Sequence, residues 1–169
     1  MRILSIFLVC ASALNADFVK NWSKYYQTSL DASKENRARL VIENGYSVPS
    51  SAQKAIEIAV DIFEGDEGKT RKQLIKYLQH TGAVESLYKT KVQYGGGPAR
   101  SYWQVEPKTA MDVVKNSSAF FGKKFHARYG ANALQKLQSL NEAQWVDVLE
   151  RYDEIGAIMA TAKWLATNW

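Results

Sequence analysis

The sequence is poor in the residues that bind metals or form disulfide bonds. It has one cysteine, Cys10, and two histidines, His80 and His126, which lie far apart in the chain. A single thiol cannot close a disulfide within the chain, and neither histidine has another histidine or a cysteine at ligand spacing. We therefore expect no metal site and no cofactor, and we interpret both histidines as surface or packing residues.

Two common catalytic motifs are also missing. No Gly-x-Ser-x-Gly sequence marks a nucleophilic serine. The glycine run Gly95–Gly97 is not followed by Lys-Ser or Lys-Thr, so it is a weak indication of a phosphate-binding loop. There is no internal repeat and no low-complexity tract. Acid–base chemistry by carboxylates is what remains.

The first residues have the pattern of a secretory signal. Arg2 precedes an apolar run over residues 3–9, and small residues follow up to Ala16. The run is shorter than the roughly 20 apolar residues that span a bilayer. Residues 1–16 are thus predicted to direct export, to the periplasm or outside the cell. An uncleaved anchor that associates with the membrane, and a plain buried helix, remain alternatives.

The rest of the chain is predicted to form a short N-terminal segment and one domain. Aromatic residues at helical spacing between Asp17 and Leu30 indicate an amphipathic helix, which with the linker that follows makes up residues 17–50. Pro49 and the neighbouring glycine and serines suggest a domain edge, so residues 51–169 are predicted to be a single domain. The net charge of +5 is spread over a mixed surface, and nucleic acid is not the expected partner.

Apolar residues at helical spacing predict two helices directly after this edge. Ser50 or Ser51 could cap the first, which ends before Gly65, and Thr70 opens a second helix that carries Glu85. The predicted inner face of the first helix comprises Ala55, Ile56, Ala59, Val60 and Phe63.

Further helices are predicted towards the C-terminus. Pro107 suits the first turn of a helix that ends at Asn116, and a later helix capped by Asn141 runs to Arg151. Residues 153–169 form a last helix with a tract of small apolar side chains, which permits close approach of its neighbours and predicts a central position. The helix after Pro107 is predicted to point Ala110, Met111 and Val114 inward.

Strand signals are few. Lys91–Tyr94 and Ser101–Val105 are the two candidates, separated by the glycine run and Pro98. The predicted fold class is mainly α: a compact helical domain with at most a small β-hairpin.

Glu85 is the first candidate catalytic residue. Ile75, Leu78 and Gly82 recur at helical spacing before it, which predicts that its carboxyl lies on the inward, apolar side of the helix. Burial among apolar groups would raise the pKa of that carboxyl, so that it could hold a proton near neutral pH and give it to a leaving oxygen. Glycoside cleavage uses this chemistry.

The loop after Glu85 contains groups suited to a sugar. Tyr102 and Trp103 have flat faces on which the C–H surface of a pyranose could rest, and Gln104 could bond a hydroxyl or acetamido group. The glycines before them would let the backbone approach a polymer closely. None of these features is specific alone, because aromatic pairs are more often part of a core.

Two segments carry a resemblance to a known family. Glu85-Ser86 at the end of a helix, followed by Ser101-Tyr102-Trp103-Gln104-Val105-Glu106-Pro107, resembles the lysozyme-like superfamily, and within it the soluble lytic transglycosylases and goose-type lysozymes. The Gly-Pro-Ala-Arg sequence before the second segment is similar to short phage-encoded members. Residues 154–157, Glu-Ile-Gly-Ala, weakly resemble the family's late helix. Ser101 departs from the usual glycine, and Met159 from a late tyrosine.

The resemblance implies an α+β lysozyme-like fold and cleavage of peptidoglycan glycan strands between N-acetylmuramic acid and N-acetylglucosamine. Glu85 would act first as acid and then as base, Ser86 would support it or the substrate, and Gln104 would bind the sugar. A lytic transglycosylase is favoured over a hydrolytic lysozyme, which usually needs a second acid; Glu106 or Asp112 could serve. The protein would be exported or carried in a phage virion.

Two other functions stay open. The chain could keep this fold as a non-catalytic peptidoglycan-binding or virion structural protein. It could also be a membrane-anchored helical interaction protein that retains its first residues.

Overall fold

In the computed structural model, residues 48–167 are described, and they belong to the second of the two units into which the chain divides, residues 37–169. They contain seven α-helices and two 3₁₀ turns, at residues 66–68 and 118–120. The helices are α1 (Ser50–Phe63), α2 (Arg71–Ser86), α3 (Pro107–Asn116), α4 (Lys123–Tyr129), α5 (Ala133–Gln138), α6 (Glu142–Arg151) and α7 (Asp153–Thr167).

This content confirms the mainly α class. In residues 48–167 the only β-pairing consists of two isolated antiparallel bridges, Val92 to Arg100 and Arg100 to Val105. The predicted strand over residues 101–105 is wrong, because residues 101–104 form a turn in which Ser101 and Gln104 have positive φ angles of 67° and 47°. Such left-handed backbone cannot continue an extended strand.

Helix α7 is central, as its small residues predicted. It packs against α1, α2, α3 and α6. Ile155 to Ala162 are all buried, including Met159, which is fully enclosed. Gly156 lies directly against the turn after Arg100: a Cβ at this position would be 2.5 Å from the Ser101 Cβ. The missing side chain is what allows α7 to approach the turn so closely.

Helix α1 buries the predicted face. Ala55, Ile56, Ala59, Val60 and Phe63 are all buried, and α1 makes its most extensive contacts with α7. The predicted serine cap is wrong. The helix already includes both serines and follows Pro49, which provides no side-chain cap.

Two helix starts predicted from local sequence are confirmed. Thr70 accepts a hydrogen bond from the backbone N–H of Gln73, whose side chain bonds back to the Thr70 backbone. Asn141 and Gln144 form the same reciprocal pair at the start of α6. Both are capping boxes, which satisfy backbone donors that a helix start leaves unpaired.

The inward face of α3 differs from the prediction in one residue. Ala110 and Val114 are buried as expected, but Met111 is exposed and Val113 takes its place in the core. Spacings of three and four residues place 110, 113 and 114 on one stripe, and position 111 falls outside it.

Several predictions concern residues outside the described part of the chain. These are the export signal over residues 1–16 with Cys10, and the aromatic helix and linker up to residue 47. Among residues 48–167, no helix is long and apolar enough to cross a membrane.

Candidate active site

A cavity of about 450 Å³ lies between α2 and α7. Its walls come from three parts of the chain: one face of α2, one face of α7, and the segment that leads from the turn into α3. The lining residues are Tyr77, Thr81, Glu85, Trp103, Gln104, Val105, Glu106, Thr109, Ala160, Lys163, Trp164 and Thr167.

Side-chain contacts join α2 to α7 beside this cavity. The Tyr77 ring stacks on Trp164, with 4.3 Å between ring centroids and 9° between planes, and the Tyr77 hydroxyl donates to the Ala160 carbonyl at 3.1 Å. Gly156, one turn earlier in α7, lies beside Trp103, whose indole N–H donates to the Leu78 carbonyl. Glu85 marks one end of the α2 wall and the Tyr77–Trp164 stack marks the other.

Glu85 lines the cavity, but its predicted burial is wrong. The residue is exposed. The buried line of α2 runs through Leu74, Leu78, Gly82 and Ser86 at steps of four residues. Glu85 falls one position before that line and shares the adjacent face with Tyr77 and Thr81, also at steps of four. A bound ligand would therefore be needed to shield this carboxyl from water.

Ser86 is buried and closes the end of α2. Its hydroxyl donates to the Gly82 carbonyl at 3.0 Å and accepts from the Tyr88 backbone N–H at 3.1 Å. Leu87 and Tyr88, which follow it, both have positive φ angles, so this hydrogen bond supports a turn of unusual backbone. Ser86 is not among the lining residues of the cavity, and its bonds position the helix end that carries Glu85.

The predicted aromatic pair does not form one platform. Trp103 is only 3% exposed and contributes to the cavity wall. Tyr102 is outside the cavity lining: its ring packs on Tyr88, with centroids 5.6 Å apart, and the Lys91 ammonium lies 5.4 Å from its centroid. The two rings are nearly perpendicular, at 81°. Consecutive side chains on this tight turn point in different directions, which separates them.

Gln104 and Glu106 both line the cavity with Glu85. The Gln104 side-chain amide donates to the Ser101 carbonyl at 2.9 Å, which holds the side chain over the turn. Glu106 is exposed at the residue before α3 and makes no capping bond with its side chain. Asp112, the other candidate second acid, is outside the lining and accepts a bond from Asn116.

The loop that carries Gln104 is tied to α6 and α7. Lys91 forms an ion pair of 2.7 Å with the buried Asp153, the first residue of α7. Arg100 donates to the Gly97 carbonyl at 2.7 Å and to Glu150 at 3.3 Å. These bonds hold both ends of the glycine-rich segment, so the turn is fixed with respect to the cavity.

Several lining residues were not predicted from the sequence, among them Tyr77, Thr81, Lys163 and Trp164. Tyr77 and Thr81 precede Glu85 by eight and four positions, and this spacing could have identified them once Glu85 was assigned to a cavity face. Lys163 and Trp164 had no such signal, because the packing of α7 on α2 brings them to the site.

Comparison with models of known protein families, with curated proteins and with solved structures found no match. Within the described residues, no three side chains among His, Cys, Asp and Glu come together as ligands for a metal ion.

Proposed function

We propose that this protein is a peptidoglycan-cleaving glycosidase of the lysozyme-like superfamily, with Glu85 as general acid and base. The observation that carries the proposal is the convergence of Glu85, Gln104 and Glu106 on one cavity. Glu85 comes from a helix end and the other two from a distant turn, and a glycosidase needs such a carboxyl beside groups that hold the sugar.

The exposure of Glu85 is compatible with this role. Catalytic groups in unliganded sites often reach their working geometry only when substrate binds. A glycan strand in the cavity would displace water from the carboxyl and favour its protonated form. Trp103 and Val105 contribute apolar surface to the same cavity and would help to exclude water.

The favoured reaction is that of a lytic transglycosylase. Protonated Glu85 gives its proton to the oxygen between N-acetylmuramic acid and N-acetylglucosamine, and the bond from that oxygen to the muramic C1 breaks. The resulting carboxylate then takes the proton of the muramic 6-hydroxyl. The oxygen of that hydroxyl bonds to C1, and the product has an anhydro end. In a lysozyme, Glu106 would instead activate a water molecule for attack on C1.

A second candidate is non-catalytic binding of peptidoglycan. The observation in its favour is the exposure of Glu85, since burial does not prepare its carboxyl in the free protein. This candidate predicts binding to cell walls without any cleaved product.

Substitution of Glu85 separates the two candidates. Purified full-length protein should clear peptidoglycan embedded in a gel, and Glu85→Gln should reduce clearing at least about 100-fold, the usual contribution of a general acid. Its melting temperature should stay near that of the wild type, because the side chain is exposed. Glu57→Gln, at an exposed position of α1, is the matched control and should clear normally. Equal clearing by the Glu85 variant would exclude it as the acid.

The products distinguish transglycosylase from lysozyme. Mass spectrometry of digested cell walls should find anhydro ends, and Glu106→Gln should leave their yield nearly unchanged. Reducing ends that disappear in Glu106→Gln would instead identify a hydrolase with two acids.

A further inference from the structure

Lys163 is the one cationic residue among the described residues that line the cavity. Its ammonium group forms no ion pair or hydrogen bond with any residue between 48 and 167. Other lysines of the same region are engaged: Lys91 pairs with Asp153, and the Lys69 ammonium lies 4.9 Å from the Trp164 ring centroid. Lys163 therefore supplies a positive charge to the cavity that no described side chain neutralises.

The backbone position of Lys163 is set by neighbours on α7 that pack against α2. It lies on α7 between Ala160 and Trp164, the two residues that contact Tyr77 of α2. Tyr77 and Glu85 are eight residues apart on one helix face, which corresponds to about 12 Å along the axis. Lys163 on α7 and Glu85 on α2 thus line the same cavity from two different helices.

This arrangement favours a ligand whose acidic group lies on the α7 side of the cavity, at Lys163. Glu85 and Glu106 repel a negative group, whereas Lys163 attracts one, so the two kinds of charge favour one orientation of a bound strand. The stacked Tyr77–Trp164 pair provides a rigid, largely apolar wall next to the cation. A neutral polysaccharide would gain no attraction between opposite charges from Lys163.

We infer that Lys163 binds a carboxylate of the glycan and makes the site selective for acidic peptidoglycan over neutral chitin. The inference rests on the proposed function for the identity of the ligand, but it concerns binding and does not require cleavage. The carboxylate could belong to the lactyl group of a peptide-free muramic acid or to a peptide stem.

Calorimetric titration tests this role with three probes on the full-length chain in a Glu85→Gln background, which prevents turnover. The probes are a peptide-free GlcNAc–MurNAc tetrasaccharide, the same tetrasaccharide with peptide stems, and chitotetraose. Lys163→Gln should weaken binding of an acidic probe about three- to tenfold, the effect expected from one charge-assisted hydrogen bond at an accessible site. Binding of chitotetraose should not change. The probe that loses affinity identifies the source of the carboxylate.

Two variants serve as controls. Lys163→Arg keeps the charge and should retain most of the affinity. Lys136→Gln removes one charge from α5, outside the cavity lining, and should leave all three titrations unchanged. Melting temperatures should match, since Lys163 is exposed.

The outcomes distinguish this inference from the proposed function. Selective loss of acidic-probe binding in Lys163→Gln supports the role of Lys163, even if the wild type leaves cell walls intact and the glycosidase proposal fails. Equal affinities of Lys163→Gln and its parent for every probe would overturn it, as would a parent protein that binds none of the three.

Discussion

At the scale of single residues, two tyrosine hydroxyls connect parts of the backbone around the site. Tyr77 donates to the Ala160 carbonyl and so joins α2 to α7. Tyr88 donates to the carbonyls of Leu78 and Gln79 and joins the turn after α2 back to that helix. Burial raises the pKa of Tyr77 to about 12 and raises that of Tyr88 further. Both hydroxyls therefore remain protonated donors at neutral pH.

These raised pKa values predict a loss of stability in alkali. Above the ordinary tyrosine value of 10.0, the unfolded chain releases the Tyr77 proton while the folded chain still holds it. The free energy of unfolding then falls as pH rises from about 10 towards 12, by about 1 kcal/mol at about pH 11 for Tyr77 alone. Urea unfolding at about pH 8 and about pH 11 measures the loss.

Tyr77→Phe is the variant that isolates this effect. It lacks the hydroxyl, so it should be less stable by about 1 kcal/mol at neutral pH but should lose less on transfer to alkali. The same alkaline loss in the variant and the wild type would show that Tyr77 is not the group responsible.

At the scale of elements, the contact between α7 and the turn at Ser101 positions the loop side of the cavity. A Cβ at Gly156 would lie 2.5 Å from the Ser101 Cβ and 2.6 Å from its Oγ. Ser101 is fully buried, so neither partner can move away into solvent. Gln104 follows in the same turn and bonds the Ser101 carbonyl. The glycine on α7 thus makes room for the buried serine of the turn.

Gly156→Ala should destabilise the protein in spite of the usual preference of helices for alanine. That preference is worth about 1 kcal/mol, whereas overpacking a closed contact costs about 1–3 kcal/mol. We expect a net loss of about 1 kcal/mol in urea unfolding. The lytic activity that we propose should fall as well, because the turn would have to shift.

Ser101→Gly provides the matched test of that contact. It removes both atoms that the new methyl group would meet, and glycine suits the φ angle of 67° at this position. The double variant should therefore be more stable than the sum of the two single changes predicts. Strict additivity would mean that the Gly156 and Ser101 contact does not limit the packing of α7.

At the scale of the whole molecule, the described residues form a helical body around α7. Four helices pack on it, and its residues from Ile155 to Ala162 are buried. The glycine-rich segment is the opposite case, because Tyr94 is fully exposed and Gly95 and Gly96 are also exposed. Local stability should therefore vary strongly along the chain.

Hydrogen exchange followed by mass spectrometry checks this distribution. Amides of α7 should exchange most slowly within residues 48–167, at rates that approach those of global unfolding, and the amides of residues 94–97 should exchange fastest. If the proposed glycan binds, its addition should slow exchange in the peptides that contain Gln104 and Lys163. Rapid exchange in α7 would contradict its central role.

Sequence periodicity and local chemistry were sufficient for much of the helical framework. The starts at Thr70 and Asn141 were predictable because a capping box is formed by residues three positions apart. The buried face of α1 and the central place of α7 followed from side-chain size and spacing. The turn at Ser101 was not predictable, because its left-handed backbone lies in a buried contact with Gly156 of α7, which is distant in the sequence.

In the candidate site, residue types alone identify the groups that could do chemistry: the glutamate at the end of α2, and the glutamine and second glutamate of the later turn. Which of these groups share a cavity depends on how the helices pack. On α2, adjacent positions such as Glu85 and Ser86 point in different directions, so one lines the cavity and the other is buried. The positions of the neighbouring helices determine which of the two faces is buried. The same packing exposed Glu85, turned Tyr102 away from the cavity, and brought Lys163 to its wall.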